Sequence, residues 1–243
     1  MKKIRLDNLL VDRGFFETPG DALRAIKAHE VKVADVYADS PAQMVAPDAD
    51  VWVKGQSRYV SRGGYKLEGA LAAFGQSVEG MRCLDAGSST GGFTDCLLQA
   101  GAASVTCVDV GYGILAWKIR QNPRTVVFER TNIRTASPEE LGAPFDLIVA
   151  DLSFIVLASL ALTFAALAQP GSIFIGLVKP QFESAHEETD HGLVRDESVR
   201  ARTVTEVCAA LEAAGFTVSD AVESSLRGKS AGNVEYLVRA IKR

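Results

Sequence analysis

Four ionisable residues stand where apolar runs would otherwise continue, or at the ends of elements that share one rim. Asp151 follows Phe145-Asp146-Leu147-Ile148-Val149-Ala150, and Lys179 follows Ile173-Phe174-Ile175-Gly176-Leu177-Val178. Glu235 lies in Gly232-Asn233-Val234-Glu235-Tyr236, and Lys66 in Arg62-Gly63-Gly64-Tyr65-Lys66-Leu67. Two lysines and two acids gathered on one rim have a specific use. A hydroxyl is a poor nucleophile until a positioned base takes its proton during in-line attack. A lysine serves as that base only if burial or a second cation brings its pKa down from about 10.4, a fall that orienting carboxylates oppose. Taken singly, Lys66 also reads as a solvated helix residue and Glu235 as an exposed strand residue.

A second constellation precedes these residues. Cys83-Leu84-Asp85-Ala86-Gly87-Ser88-Ser89-Thr90-Gly91-Gly92-Phe93 reads as a strand, a glycine-rich turn and a helix start. Such a turn offers free N–H groups and close backbone approach to a ligand. It is not the dinucleotide G-x-G-x-x-G pattern. Asp85 ends the first strand, and Asp109 ends the next one 24 residues later, where an acid accepts hydrogen bonds from a ribose. Carboxylates here would repel a pyrophosphate but suit a sulfonium with its amino group, so the expected cofactor is S-adenosylmethionine. Gly87, Ser88, Thr90, Gly91, Gly92 and Phe93 complete the expected cofactor site. Asn132, after the third strand, is a candidate for the adenine edge and equally a turn residue.

Elements that would position these groups follow from the apolar patterning. Strands are expected at 81–86, 103–109, 125–130, 145–150, 172–178, 216–223 and 234–241. Helices are expected at 64–74, 91–100, 113–120, 154–168 and 197–214. Strand and helix alternate, and the strands are nearly all apolar, which predicts an α/β doubly wound sheet with ligands beyond its carboxyl ends. Before residue 58 the pattern differs. A short helical stretch (Leu6, Leu9, Leu10) is followed by Thr18-Pro19-Gly20-Asp21, with Thr18 or Asp21 as helix cap, and a second helix to Ala28. Two strand-like runs follow, Val31-Lys32-Val33 and Asp50-Val51-Trp52-Val53-Lys54. We expect a small α+β module over 1–58 and a catalytic domain over 59–243.

The 27 residues from Leu152 to Val178 carry no charge, which meets the length of a membrane span. Gln169-Pro170-Gly171 interrupts them, so the reading is a buried helix followed by a buried strand. Charges throughout the first 13 residues leave no signal-peptide core, and the four cysteines form no C-x-x-C pair. A reducing, cytoplasmic setting with buried free thiols is expected. His29, His186 and His191 make no ligand pattern, and no metal is expected. With 26 basic against 30 acidic residues the net charge is −4, so any nucleic-acid contact must use a local patch.

Together these segments resemble the TlyA family, named both for hemolysins and for rRNA 2′-O-methyltransferases. The catalytic part is similar to the FtsJ class of ribose methyltransferases. The resemblance rests on Ser61 to Leu67, Asp85 to Phe93, Ala150 to Phe154, Leu177 to Glu183, Gly192 to Asp196 and Gly232 to Tyr236. It implies a Rossmann-like, mostly parallel sheet with an antiparallel last strand. It also implies a Lys66, Asp151, Lys179, Glu235 tetrad with Lys179 as base, and ribosomal RNA or a ribosomal subunit as substrate. The first 60 residues resemble the RNA-binding module of a small-subunit ribosomal protein. Arg5, Arg24, Lys27, Lys32, Arg58 and Arg62 are the candidate RNA contacts, each also readable as a solvated charge. Two acids, Asp21 and Asp35, depart from the module's usual neutral or basic positions. With 9 basic and 9 acidic residues before position 61, the module is neutral.

Other readings remain at this level. An exocyclic-amine methylase favours an Asn/Asp-Pro-Pro-aromatic loop, and Asp151-Leu152-Ser153-Phe154 lacks the prolines. A cytosine-carbon methylase lacks a cysteine near 151–154 or 179–183. A cytolysin requires an exported or amphipathic lytic segment. An RNA-binding protein without activity would have no need of the tetrad.

Overall fold

A computed structural model describes residues 3–34, 36–47, 49, 51–55, 58–228 and 232–243. Asp35, Asp50, Gln56 and Ser57, which entered the reading of the module and its join, lie outside the described residues. The chain divides into two compact units, Met1–Arg58 and Tyr59–Arg243.

The first unit contains β1 (Ile4–Arg5), α1 (Leu6–Asp12), α2 (Pro19–Lys27), β2 (Val31–Val33), β3 (Val36–Tyr37), β4 (Met44–Val45) and β5 (Val51–Val53). Thr18, not Asp21, caps α2: its Oγ1 accepts from Asp21 N at 3.2 Å, with Pro19 at the first helical position. β2 is the centre of a three-stranded antiparallel sheet, β3-β2-β5, and β1 pairs with β4. Leu6, Leu9, Leu10, Ile26, Val31 and Val53 fill its core.

The second unit runs α3 (Gly63–Ala73), β6 (Arg82–Ala86), α4 (Gly92–Gln99), β7 (Ser104–Val108), α5 (Trp117–Arg120) and β8 (Thr125–Phe128). It continues with α6 (Pro138–Leu141), β9 (Phe145–Ala150), α7 (Ala161–Ala166), β10 (Ala168–Val178), α8 (Pro180–Glu183), α9 (Glu197–Ala213), β11 (Phe216–Glu223) and β12 (Tyr236–Lys242). The seven-stranded sheet has the order β11-β12-β10-β9-β6-β7-β8. β12 is antiparallel to both neighbours, while β10, β9, β6, β7 and β8 are mutually parallel. One apolar cluster covers each face, with Leu67, Phe93 and Leu97 on one side and Leu157, Phe164 and Val207 on the other. Coverage on both faces is why the strands read as unbroken apolar runs.

Two expected helices are corrected. The helix at 113–120 is reduced to Trp117–Arg120, because Gly111 and Gly113 lie in an irregular loop before it. The helix expected at 154–168 is a 3₁₀ turn, Leu157–Leu160, followed by Ala161–Ala166. Residues 152–156 are not helical, and Phe154 takes a left-handed backbone with φ of 62°. Glu183 receives the backbone N–H of Leu157 at 2.7 Å and so fixes where the turn begins. Gln169-Pro170-Gly171 appears as a register shift inside β10 between Ala168 and Ile173. No helix among the described residues is long and apolar enough to cross a membrane.

Candidate active site

The order of the sheet reverses at β6, whose neighbours are β9 on one side and β7 on the other. Carboxyl ends of adjacent parallel strands open a crevice there, and the candidate residues gather around it.

Asp109, just beyond β7, accepts Ser89 N at 2.8 Å on one oxygen and Gly111 N at 2.7 Å on the other. Each oxygen keeps a lone pair for a further donor. Asp109 and Asn132 line a cavity of about 390 Å³ with the apolar side chains of Val110, Ile114, Ile133 and Leu152. A diol-accepting carboxylate beside a narrow apolar slot fits a nucleoside. Asn132 also serves its own turn: its side-chain oxygen accepts Arg134 N at 3.0 Å.

Asp85 lies deeper than expected. It is completely buried under the glycine-rich loop and is not among the cavity-lining residues. One oxygen accepts Thr94 N at 2.9 Å and Thr94 Oγ1 at 2.6 Å; the other has no hydrogen-bond partner. Burial pushes its pKa up to about 7, and the charges of Asp151 and Asp109 add to the rise. A buried carboxyl with a vacant acceptor lowers the cost of placing a cation above the loop, which fits a sulfonium or ammonium group.

The glycines of the loop are required mainly by protein packing rather than by close approach of a ligand. Gly87 has φ of 83°, and a Cβ on it would sit 2.7 Å from the Asp151 carbonyl oxygen. A Cβ on Gly92 would meet Ser61 Oγ at 2.2 Å and the backbone of Gly63 and Gly64, where α3 and α4 touch. Gly91 takes φ of 94° at the start of α4. Ser88, Thr90, Gly92 and Phe93, with Gly87 and Asp151, line a smaller cleft of about 90 Å³.

The four tetrad candidates all line one further cavity of about 800 Å³. They form two ion pairs. Lys66 Nζ lies 2.5 Å from Glu235 Oε2, with side chains 10% and 3% exposed. Lys179 Nζ lies 2.6 Å from Asp151 Oδ1, a charge contact rather than a directed hydrogen bond, and donates to Ser153 Oγ at 2.9 Å. The exposed-surface alternatives for Lys66 and Glu235 are therefore set aside.

Asp151, Ser153, Phe154 and Ile155 line both large cavities, so this segment is their common wall. Phe154 is 90% exposed, and its ring centroid is 5.0 Å from that of Phe182. Sequence reasoning missed the roles of Ser153 and Asn233. Buried Asn233 accepts Val194 N at 2.9 Å and donates to Gly192 O at 2.7 Å, fastening the segment after His191 beside Glu235. A polar residue two positions before Glu235 was its only signal. His186 and His191 line the same cavity, and no metal-binding cluster occurs among the described residues.

The RNA candidates are dispersed. Arg5 makes two hydrogen bonds to Asp7, and Arg24 pairs with Asp21. Lys27 and Arg58 are exposed, and Arg62 donates to the carbonyl of Arg227 at 2.8 Å. Lys32 lies between two aromatic rings.

The pattern of FtsJ-like methyltransferases matches residues 59–242. The chain belongs to the FtsJ-like methyltransferase family. S-adenosylmethionine is accordingly its cofactor. Across its whole length it is similar to 16S/23S rRNA (cytidine-2′-O)-methyltransferase TlyA of Mycobacterium tuberculosis, 44% identical over 98% of this chain and 89% of the relative. It is 35% identical to Hemolysin A of Brachyspira hyodysenteriae, over 98% of this chain and all of that one. A solved Streptococcus thermophilus structure, provisionally named a hemolysin, superposes with a TM-score of 0.77 at 39% identity, covering 100% of this chain and 89% of that one. This FtsJ-like chain therefore has relatives under both names.

Proposed function

We propose that this chain methylates a ribose 2′-hydroxyl of ribosomal RNA, with Lys66, Asp151, Lys179 and Glu235 as the catalytic tetrad. The observation that carries the reading is the placement of two lysine–carboxylate pairs on one cavity that shares the Asp151–Ile155 wall with the nucleoside cavity. The name of the Mycobacterium tuberculosis relative supports the substrate class and points to cytidine.

S-adenosylmethionine supplies, when bound, an electrophilic methyl group on a sulfonium. Asp109 would hold its ribose, Asn132 its base, and the loop from Gly87 to Phe93 its amino-acid end. On the other side of the wall, Lys179 Nζ is placed to take the proton of the attacking hydroxyl. Asp151 and Ser153 fix where that nitrogen points, so the oxygen is held in line rather than found by diffusion. Lys66 and Glu235 close the far side of the cavity as a buried pair that excludes water and presents a donor to the ribose. Phe154 offers an exposed ring against which the target base can stack.

The test is nucleoside analysis of ribosomal RNA incubated with the protein and labelled cofactor. A 2′-O-methylated nucleoside is expected, and a base-methylated one rejects the reading. Lysis of liposomes by the purified protein without cofactor would instead favour the hemolysin name.

A further inference from the structure

We propose that the outer face of the β3-β2-β5 sheet is a second RNA contact, a stacking site for an unpaired nucleotide built from Trp52, Lys32 and Tyr37. The inference rests on the RNA-substrate reading above and assigns to this module a kind of contact that its charges alone do not suggest.

Lys32 stands opposite Tyr37 on one neighbouring strand and opposite Trp52 on the other. Directly opposed residues project to the same face of a sheet. Val31, one residue away, projects to the other face and is fully buried with Val53 in the core. The Trp52–Lys32–Tyr37 row therefore faces away from the core of the unit. Lys32 Nζ lies 4.7 Å from the Tyr37 ring centroid and 5.2 Å from that of Trp52. His29 meets the edge of Tyr37 at 5.8 Å, and Tyr37 is 45% exposed beside Val36 at 68%. Three strands of only two or three residues each thus carry an aromatic, a cation and an aromatic in one line.

Charge elsewhere on the unit favours this face. Arg5 and Arg24 are each neutralised by an acid of the chain itself. The large groove of about 970 Å³ beside α2 is lined by Glu17, Asp21 and Glu30 against Arg24, a balance that repels phosphate. Lys54 and Glu30 pair with each other at 3.4 Å, and Lys32 makes its contacts with the two rings. Aromatic rings flanking a cation are the parts that hold single-stranded nucleic acid: the rings stack on bases and the ammonium meets phosphate. A duplex hides the faces of its bases and gains nothing from the rings.

The chain carries two tryptophans, Trp52 and Trp117. In a Trp117→Phe variant the remaining fluorescence reports on Trp52. An unstructured oligoribonucleotide is expected to quench it saturably, and the same strand annealed to its complement to quench it much less. In that background Lys32→Gln should weaken the quench several-fold and reduce the slope of log affinity against log salt by roughly 0.7. Tyr37→Ala should raise the KM for ribosomal RNA several-fold at unchanged kcat. Equal quenching by both RNAs, no quenching, or an unchanged KM in Tyr37→Ala overturns the inference. The two readings fail separately, because the position of the transferred methyl group is read from product nucleosides.

Discussion

Lys179 and Lys66 are both buried cations paired with a carboxylate, yet their substitutions separate. Lys179→Ala should lower kcat by about 10²–10⁴-fold, the usual contribution of a general base, with cofactor affinity kept within a few-fold by isothermal titration. Lys66→Ala leaves Glu235, 3% exposed, without its cation, and breaking a buried pair costs about 3–5 kcal/mol. Urea unfolding should show that loss, and Lys66→Ala paired with Glu235→Leu should recover much of it. Asp85 predicts a pH dependence. Its pKa is raised from 3.8 to about 7 by burial first, so the folded protein holds a proton that the unfolded chain releases. Its contribution to stability is complete below pH 3.8 and is lost as pH rises through about 7. Bound cationic cofactor favours the ionised form, so cofactor affinity should rise across the same window, and Asp85→Asn should flatten both profiles.

At the scale of elements, the crossover from β9 to β10 and the loop after β6 determine the site. Glu183 accepts Leu157 N at 2.7 Å and Ala158 N at 3.5 Å, joining the segment after β10 to the start of the crossover turn. Glu183→Ala should cost about 1–2 kcal/mol in thermal unfolding, as loss of a helix cap does, and raise the KM for RNA more than that for cofactor, because Phe154 lies just before the turn. Gly87→Ala should impair folding and cofactor binding together, since φ of 83° and the Asp151 carbonyl both oppose a side chain. The crossover also shows where sequence reasoning stops. Its apolar run signals burial equally well for a long helix or for a loop, a turn and a short helix. The left-handed Phe154 and the remote Glu183 cap are tertiary choices that no periodicity records. The ends of β9 and β10 were legible because a charge, Asp151 or Lys179, closes each apolar run. Asn233 was not, because its partners Gly192 and Val194 lie about 40 residues away.

Across the second unit the strand–helix alternation was legible in outline, and the antiparallel β12 followed only from the family resemblance. Net charge was the least informative signal, since Arg5 and Arg24 of the first unit are paired with acids of their own chain. The sheet of the second unit makes a prediction about global opening. Cys83, Cys96 and Cys107 are buried, and burial pushes the thiols of Cys83 and Cys107 up to about 12. Mass spectrometry after alkylation should therefore find half-buried Cys208 labelled first in native buffer. The other three should react only at the rate of unfolding, and all four at once in denaturant.

The wall from Asp151 to Ile155 faces a cavity on each side, and that makes it a thermodynamic partition as well as a physical one. A ligand that sets the position of the wall from one side changes the affinity on the other by some factor. Reciprocity requires that the second ligand return the same factor to the first. Cofactor, demethylated cofactor and RNA are then linked ligands. A substitution such as Phe154→Ala should alter not only the affinity for RNA but the amount by which RNA tightens or loosens the cofactor, a quantity read from cofactor titrations with and without RNA.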